Sequence, residues 1–194
     1  MKHANIKKMT SVALLMAMVV VLQLVSGMIP PVGGFSISLV LIPIVLGAAT
    51  FGAGTGAVLG GTFGVTVFIN CVTGADVGGA MVFQANPALC FAVVMAKGIL
   101  AGFASGAVYS LLKRWNPYVA MLCAAVVCPL VNTGLFVVCM VLFFAPVLSA
   151  WAGGGSIAAY IFGVLAVFNF LPELLINVVF SPFGQTIVKL VKSK

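Results

Sequence analysis

FAVVMAKGILAGFASGAVYSLL (residues 91–112) is an apolar run broken by a single charge, Lys97. Together with the NPALC that precedes it, it reads as one helix over 86–112. That exceeds the roughly 20 residues a helix needs to cross the hydrocarbon core of a bilayer. The run stops against KRWN (113–116), a basic loop. Elsewhere the pattern repeats: long apolar stretches, with nearly every charge pushed to their ends.

Composition points the same way. The chain is 63% hydrophobic and only 6% charged, with a mean hydropathy of +1.32. A soluble domain carries about a quarter charged residues, so too little polar surface remains here to cover a globule in water. The chain reads as an all-α integral membrane protein, one domain over residues 1–194. Its +7 net charge does not form a nucleic-acid face. Lys2, Lys7 and Lys8 precede the first apolar run, Lys113 and Arg114 share one loop, and Lys189, Lys192 and Lys194 close the chain. No nucleic-acid partner is expected. The first run follows a basic start as a signal peptide would, but it shows no A-x-A site and further runs follow, so it reads as a retained span.

Six spans fit the pattern: 10–28, 36–53, 55–73, 86–112, 117–147 and 157–188. The second and third are separated only by the glycines of FGAGTGA, either a tight turn or a re-entrant bend. Basic residues favour the cytoplasmic side. Six spans then place both termini and the 113–116 loop in the cytoplasm, and 29–35, 74–85 and 148–156 outside; none of these outer segments contains Lys or Arg. The glycine-rich stretches GAATFGAGTGAVLGGTFG (47–64) and GILAGFASGA (98–107) read as close helix packing. The chain contains no GxGxxG and no P-loop, hence no nucleotide-hydrolysing apparatus of its own.

Ionisable groups inside a membrane are costly and face a cavity or a partner. Two lie well within the expected spans, Lys97 in the fourth and Glu173 in the sixth. They could pair with each other, which would offset part of their desolvation, or one or both could meet a polar solute; a protonated Glu173 is a further alternative. The surroundings favour a solute. Asn169, Glu173 and Asn177 recur every four residues and so share a helix stripe. Asn86 and Lys97, 11 residues apart or about three turns, share a face of the fourth span. Asn132 and Thr133 add an amide and a hydroxyl beside Pro129 in the fifth. The five cysteines read as ordinary apolar residues, and no metal or cofactor is expected. The outer segments IPPVGGF and VFQANP combine aromatics with Pro and Gly, as a deformable lid over a cavity would.

With these residues in view, the chain resembles the substrate-binding S components of bacterial energy-coupling factor (ECF) vitamin transporters. SLVLIPIVLGAATFGAGTGAVLGGTFG is similar to that family's second and third helices, FQANPALCFAVVMAKGILAGFASGAVYSLL to its fourth, and VNTGLFVVCMVLFF to its fifth. The resemblance covers nearly the whole chain. It implies a multi-pass protein of the bacterial cytoplasmic membrane that binds a vitamin or precursor from outside. It also implies association with a transmembrane T component and two cytoplasmic ATPases, and toppling in the membrane to release the cargo inward. Ala13 and Ala17 match the A-x-x-x-A patch through which the family's first helix docks on the T component. Asn86, Lys97, Asn132 and Glu173 fall at positions matching the pocket side. A lone lysine suits a substrate carboxylate, which favours a pantothenate-like solute, although the pantothenate group often carries arginine there and lysine loses the bidentate geometry. Folate, a pyridoxine-type precursor and riboflavin are alternative cargoes. An ion-coupled secondary transporter is the alternative from another class, since a Lys–Glu pair serves proton coupling and broken helices serve ion sites. An intramembrane enzyme has little support, because HExxH, GxSxG and paired catalytic acids are all missing.

Overall fold

At Gly52 the backbone takes φ 100°, in the left-handed region, and the chain reverses between two helices on this one residue. A side chain would be strained in that conformation, so the glycine is what makes the tight turn. The computed structural model describes residues 2–28 and 39–192, with the side chains of 6–27 and 39–191, and every element in it is helical. Helix α1 (Lys2–Met28) is followed by α2 (Leu41–Phe51), then Gly52 and α3 (Ala53–Thr73). Next come α4 (Val77–Ala85), α5 (Pro87–Leu112), α6 (Pro117–Phe143) and α7 (Ala145–Trp151). The last stretch begins as α8 (Ile157–Tyr160), widens into a π-helical segment (Ile161–Phe170) and continues as α9 (Leu171–Lys192).

Among the described residues, five stretches are long and apolar enough to cross a membrane: Ile6–Gly27, Ala53–Thr73, Pro87–Leu112, Pro117–Phe143 and Ile157–Val191. The second expected span is shorter than its apolar pattern suggested. Helix α2 has 11 residues, roughly 16 Å at 1.5 Å per residue, about half the hydrocarbon thickness. Residues 36–38, the start of that expected span, lie outside the described residues, as does the outer segment 29–35. Leu41, Ile44, Val45, Ala48 and Ala49 are all buried, while Ile42, Leu46 and Thr50 form a half-buried stripe, so α2 is largely a core element. The long helices instead turn large apolar side chains outward, among them Leu14, Leu111, Leu142, Phe162 and Phe183. Such a surface suits lipid.

Two outer segments read as loops contain helices. Gly74, at φ 77°, closes α3 as a left-handed cap. Asp76 then starts α4, its Oδ1 accepting the Gly79 N–H at 3.1 Å. Helix α7 covers part of the second segment and ends before the positive-φ glycines Gly153 and Gly154.

The centre of the bundle is the α3–α5 seam. A Cβ added at Gly60 would collide with the carbonyl of Gly98, and one at Gly98 with the carbonyl of Gly60. Gly56 and Gly102 stand in the same reciprocal relation, and Gly106 lies against the Ala53 backbone. Two four-residue glycine ladders (56, 60, 64 and 98, 102, 106) therefore interlock backbone to backbone, the small-residue packing expected from the sequence. This contact fixes the rotation of α5 and so the direction of Lys97, the residue before Gly98.

Candidate functional site

A cavity lies beside the Pro87 half of α5. Cys90, Val93, Val94 and Lys97 line it, at the 3–4-residue spacing of one helical face. Val67 and Cys71 of α3 form a second wall, and Asp76, Gly79 and Val82 of the α4 region a third. Helix α6 contributes Asn132, Thr133 and Phe136, and the π-helical segment contributes Asn169. Its volume is about 60 Å³. Pockets that hold small organic ligands run to about 300 Å³ or more, so a vitamin-sized occupant requires the walls to separate.

Lys97 is half-buried here. Its Nζ lies 4.8 Å from the centre of the Phe136 ring and 5.8 Å from that of Phe63. Ring faces offer a cation a modest attraction, about 0.5–2 kcal/mol. They do not occupy the ammonium's hydrogen bonds. The neighbouring α6 turn holds the complementary irregularity. Asn132 and Thr133 are only 5% and 6% exposed, yet Asn132 Oδ1 and Thr133 Oγ1 have no hydrogen-bond partner among the described residues. A buried polar atom left in that state costs about 1–3 kcal/mol, a cost that a bound polar molecule would remove. Pro129 stands one turn earlier within α6 and withholds a backbone N–H from the helix.

Phe136 of the lining continues into an aromatic cluster. Trp151 of α7 stacks near Phe136 with ring centres 6.5 Å apart and lies 6.4 Å from Tyr160, while its Nε1–H donates to Met81 Sδ of α4 at 3.2 Å. The two short helices that sequence patterning took for loops therefore meet beside the cavity.

The six residues singled out as solute-binding are divided by the structure. Lys97, Asn132 and Asn169 share the cavity. Asn86 is the N-cap of α5: its Oδ1 accepts the Leu89 N–H at 3.0 Å, ahead of Pro87. Asn-Pro before an apolar run is a helix-start signal, and Asn116-Pro117 repeats it at α6. Glu173 is 2% exposed but is not in the cavity lining. Asn177 lines a separate narrow cavity between α2, α6 and α9, and its Nδ2 donates to the Glu173 carbonyl at 2.8 Å. Lys97 faces the cavity and aromatic rings, and Glu173 begins a buried polar line along α9. That line runs on at the same four-residue spacing to Ser181 and Gln185, and Gln185 Oε1 accepts the Tyr109 O–H at 3.0 Å. Ser181 and Gln185 were legible as a continuation of the Asn169–Glu173–Asn177 spacing.

Asp76 is the cavity residue that sequence patterning passed over, because it was assigned to an outer loop. Ala13 and Ala17 are exposed on α1. Ala13 also borders an apolar groove of about 660 Å³ with Met9, Val12 and Met16 of α1 and Phe51, Gly54 and Val58 of α2 and α3.

A multi-pass bundle with a partly enclosed, polar-lined cavity is the class of membrane protein that binds a solute within its helices. The family described as "ECF transporter, substrate-specific component" matches residues 7–183, and the chain belongs to it. No curated protein matches the chain. Membership makes it the substrate-binding subunit of an ECF transporter, a multi-pass transport component and not an enzyme, working with a T component and ATPases on a small-molecule substrate.

Proposed function

We propose that this subunit captures a small carboxylate-bearing vitamin or precursor, pantothenate-like, from outside the bacterial cytoplasmic membrane for ATP-driven uptake. The observation that carries this reading is the cavity itself: one cation, Lys97, set beside Asn132 and Thr133, whose buried oxygens lack partners. An ammonium over aromatic rings is held in place and still has donors to give. A carboxylate arriving there would gain a charge-assisted hydrogen bond in a medium of low dielectric. Lysine does this as a point charge, without the planar fork of arginine, so the remaining polar lining must supply orientation. Glu173 and Asn177, deeper in α9, belong in this reading to the structural support of the pocket, and Asn86 to the start of α5.

The same reading takes residues 1–194 as one six-span domain with both termini cytoplasmic. That assignment is supported by the basic clusters at 2–8, 113–114 and 189–194. It places the cavity at the outer end of α5, away from the Lys113–Arg114 loop, where an external solute arrives. Ala13 and Ala17 would meet the T component, with two ATPases supplying energy.

Native mass spectrometry of the protein purified in mild detergent, followed by titration of Lys97→Ala with the identified molecule, tests this. We expect a co-purified acid and a loss of about thirtyfold in affinity, the size of a hydrogen bond to a charged group. Absence of any bound small molecule, with unaltered affinity of the variant for every candidate vitamin, would reject it.

A further inference from the structure

We propose that Asp76 is a specificity-determining residue of the cavity, and that the solute is an acid which also carries hydroxyl donors on the side away from its carboxylate. This deepens the reading of the cavity given above and rests on it.

The charged groups of the lining are few and opposed. Lys97 is its one cation and Asp76 its one anion. A solute bearing only a carboxylate would satisfy Lys97 and at the same time face the Asp76 charge. It would also leave Asn132 Oδ1 empty, because an amide oxygen accepts hydrogen bonds and cannot donate them. Two acceptors, the Asp76 carboxylate and the Asn132 oxygen, thus ask for donors from whatever fills the space. Thr133 Oγ1, which gives and accepts, fits either partner.

Asp76 has capacity to spare. Its Oδ1 accepts one bond, from Gly79 N at 3.1 Å, whereas an ionised carboxylate offers about four acceptor positions. Gly79 packs close beside the second oxygen, where a Cβ would stand 2.8 Å from Asp76 Oδ2 and would press on the Cys71 thiol. Both Gly79 and Asp76 line the cavity. The N-cap role explains why an aspartate or asparagine stands at this turn. It does not explain an anion aimed into a cavity with a lysine across it.

Two probes separate the claims. Pantothenate carries a carboxylate, an amide and two hydroxyls; N-pivaloyl-β-alanine keeps the carboxylate and amide but has no hydroxyls. Both are titrated calorimetrically into the full chain in lipid nanodiscs, as wild type, Asp76→Asn and Asp76→Ala. Asparagine retains a capping oxygen but replaces the free acceptor by an NH₂ donor. We expect wild type to prefer pantothenate by about tenfold or more, the worth of a hydrogen bond to a charged acceptor. In Asp76→Asn the preference should collapse while the affinity for N-pivaloyl-β-alanine stays within about twofold. If Asp76 acts only as a cap, Asp76→Asn will match wild type with both probes and Asp76→Ala will weaken both alike, which overturns the proposal. Equal binding of the two probes to wild type also overturns it, while leaving the carboxylate reading in place. Failure of both probes to bind wild type rejects the pantothenate-like reading and this inference with it.

Discussion

The two halves of α5 show opposite solutions to life in a membrane. Past Gly98 the helix lies backbone to backbone on α3, with Gly98 and Gly102 meeting Gly60 and Gly56 and no room for a methyl group. Before Gly98 one side of the same helix borders a small cavity, which Lys97 lines together with Asp76, Asn132 and Thr133. Across that space α6 holds two buried oxygens without partners among the described residues. The contrast separates what holds the fold from what awaits a solute.

Breaking the seam has the largest expected effect. Gly98→Val drives a branched side chain into the Gly60 backbone, which cannot rotate away, so destabilisation at the upper end of the overpacking range, about 3 kcal/mol, is expected. Thermal unfolding in detergent should show a marked fall in midpoint or loss of folded protein. A midpoint equal to wild type would mean that the seam is looser than described.

Next comes Lys97→Ala in the other half of the helix. About 2 kcal/mol of ligand affinity should vanish while the unfolding midpoint of the empty protein stays put, because its ring contacts are worth little net. A stability loss larger than the affinity loss would make Lys97 a structural residue.

Asn132→Leu sharpens the comparison further. The variant removes a buried oxygen without a partner, so the empty protein should gain about 1 kcal/mol of stability. Solute affinity should fall about tenfold at the same time. Loss of stability would show that the asparagine already serves the fold.

The smallest effect belongs to Asn86→Ala, which deletes the α5 cap. Stability should drop by about 1 kcal/mol with solute affinity unchanged within error, and Asn86→Ser should recover most of the stability. A selective change in affinity would return Asn86 to the cavity.

How much of this was legible depended on whether local rules held. The apolar runs, the helix starts at Asn-Pro and the glycine ladders are local signals, and the structure places helices and close contacts where they stand. Lys97 was conspicuous because a charge in an apolar run has few explanations. Its cavity neighbour was not. Asp76 lies about twenty residues upstream, and only the fold of the nine-residue helix α4 turns it toward α5. The stripe of Asn169, Glu173 and Asn177 relied on an ideal helix over 157–188. The backbone instead runs as a π-helix through Ile161–Phe170, with wider turns than the four-residue stripe assumes. Pro172, two residues beyond that segment, gives a reason: it has no N–H to donate, and its ring would press on the carbonyl four residues back, which a wide turn moves aside. Asn169 in that segment reaches the cavity, and Glu173 beyond it does not. The shortness of α2 was hidden by composition, since a buried core helix and a membrane span are equally apolar.

The solute-bound structure of the protein tests the central claim most directly. The account predicts density for the molecule between α5 and α6, with an acidic group within about 3 Å of Lys97 Nζ and a donor at the same distance from Asn132 Oδ1. The walls should stand further apart than those of the 60 Å³ cavity described here. Solute density elsewhere, such as the apolar groove between α1 and α3, with Lys97 still over the Phe136 ring, would contradict it.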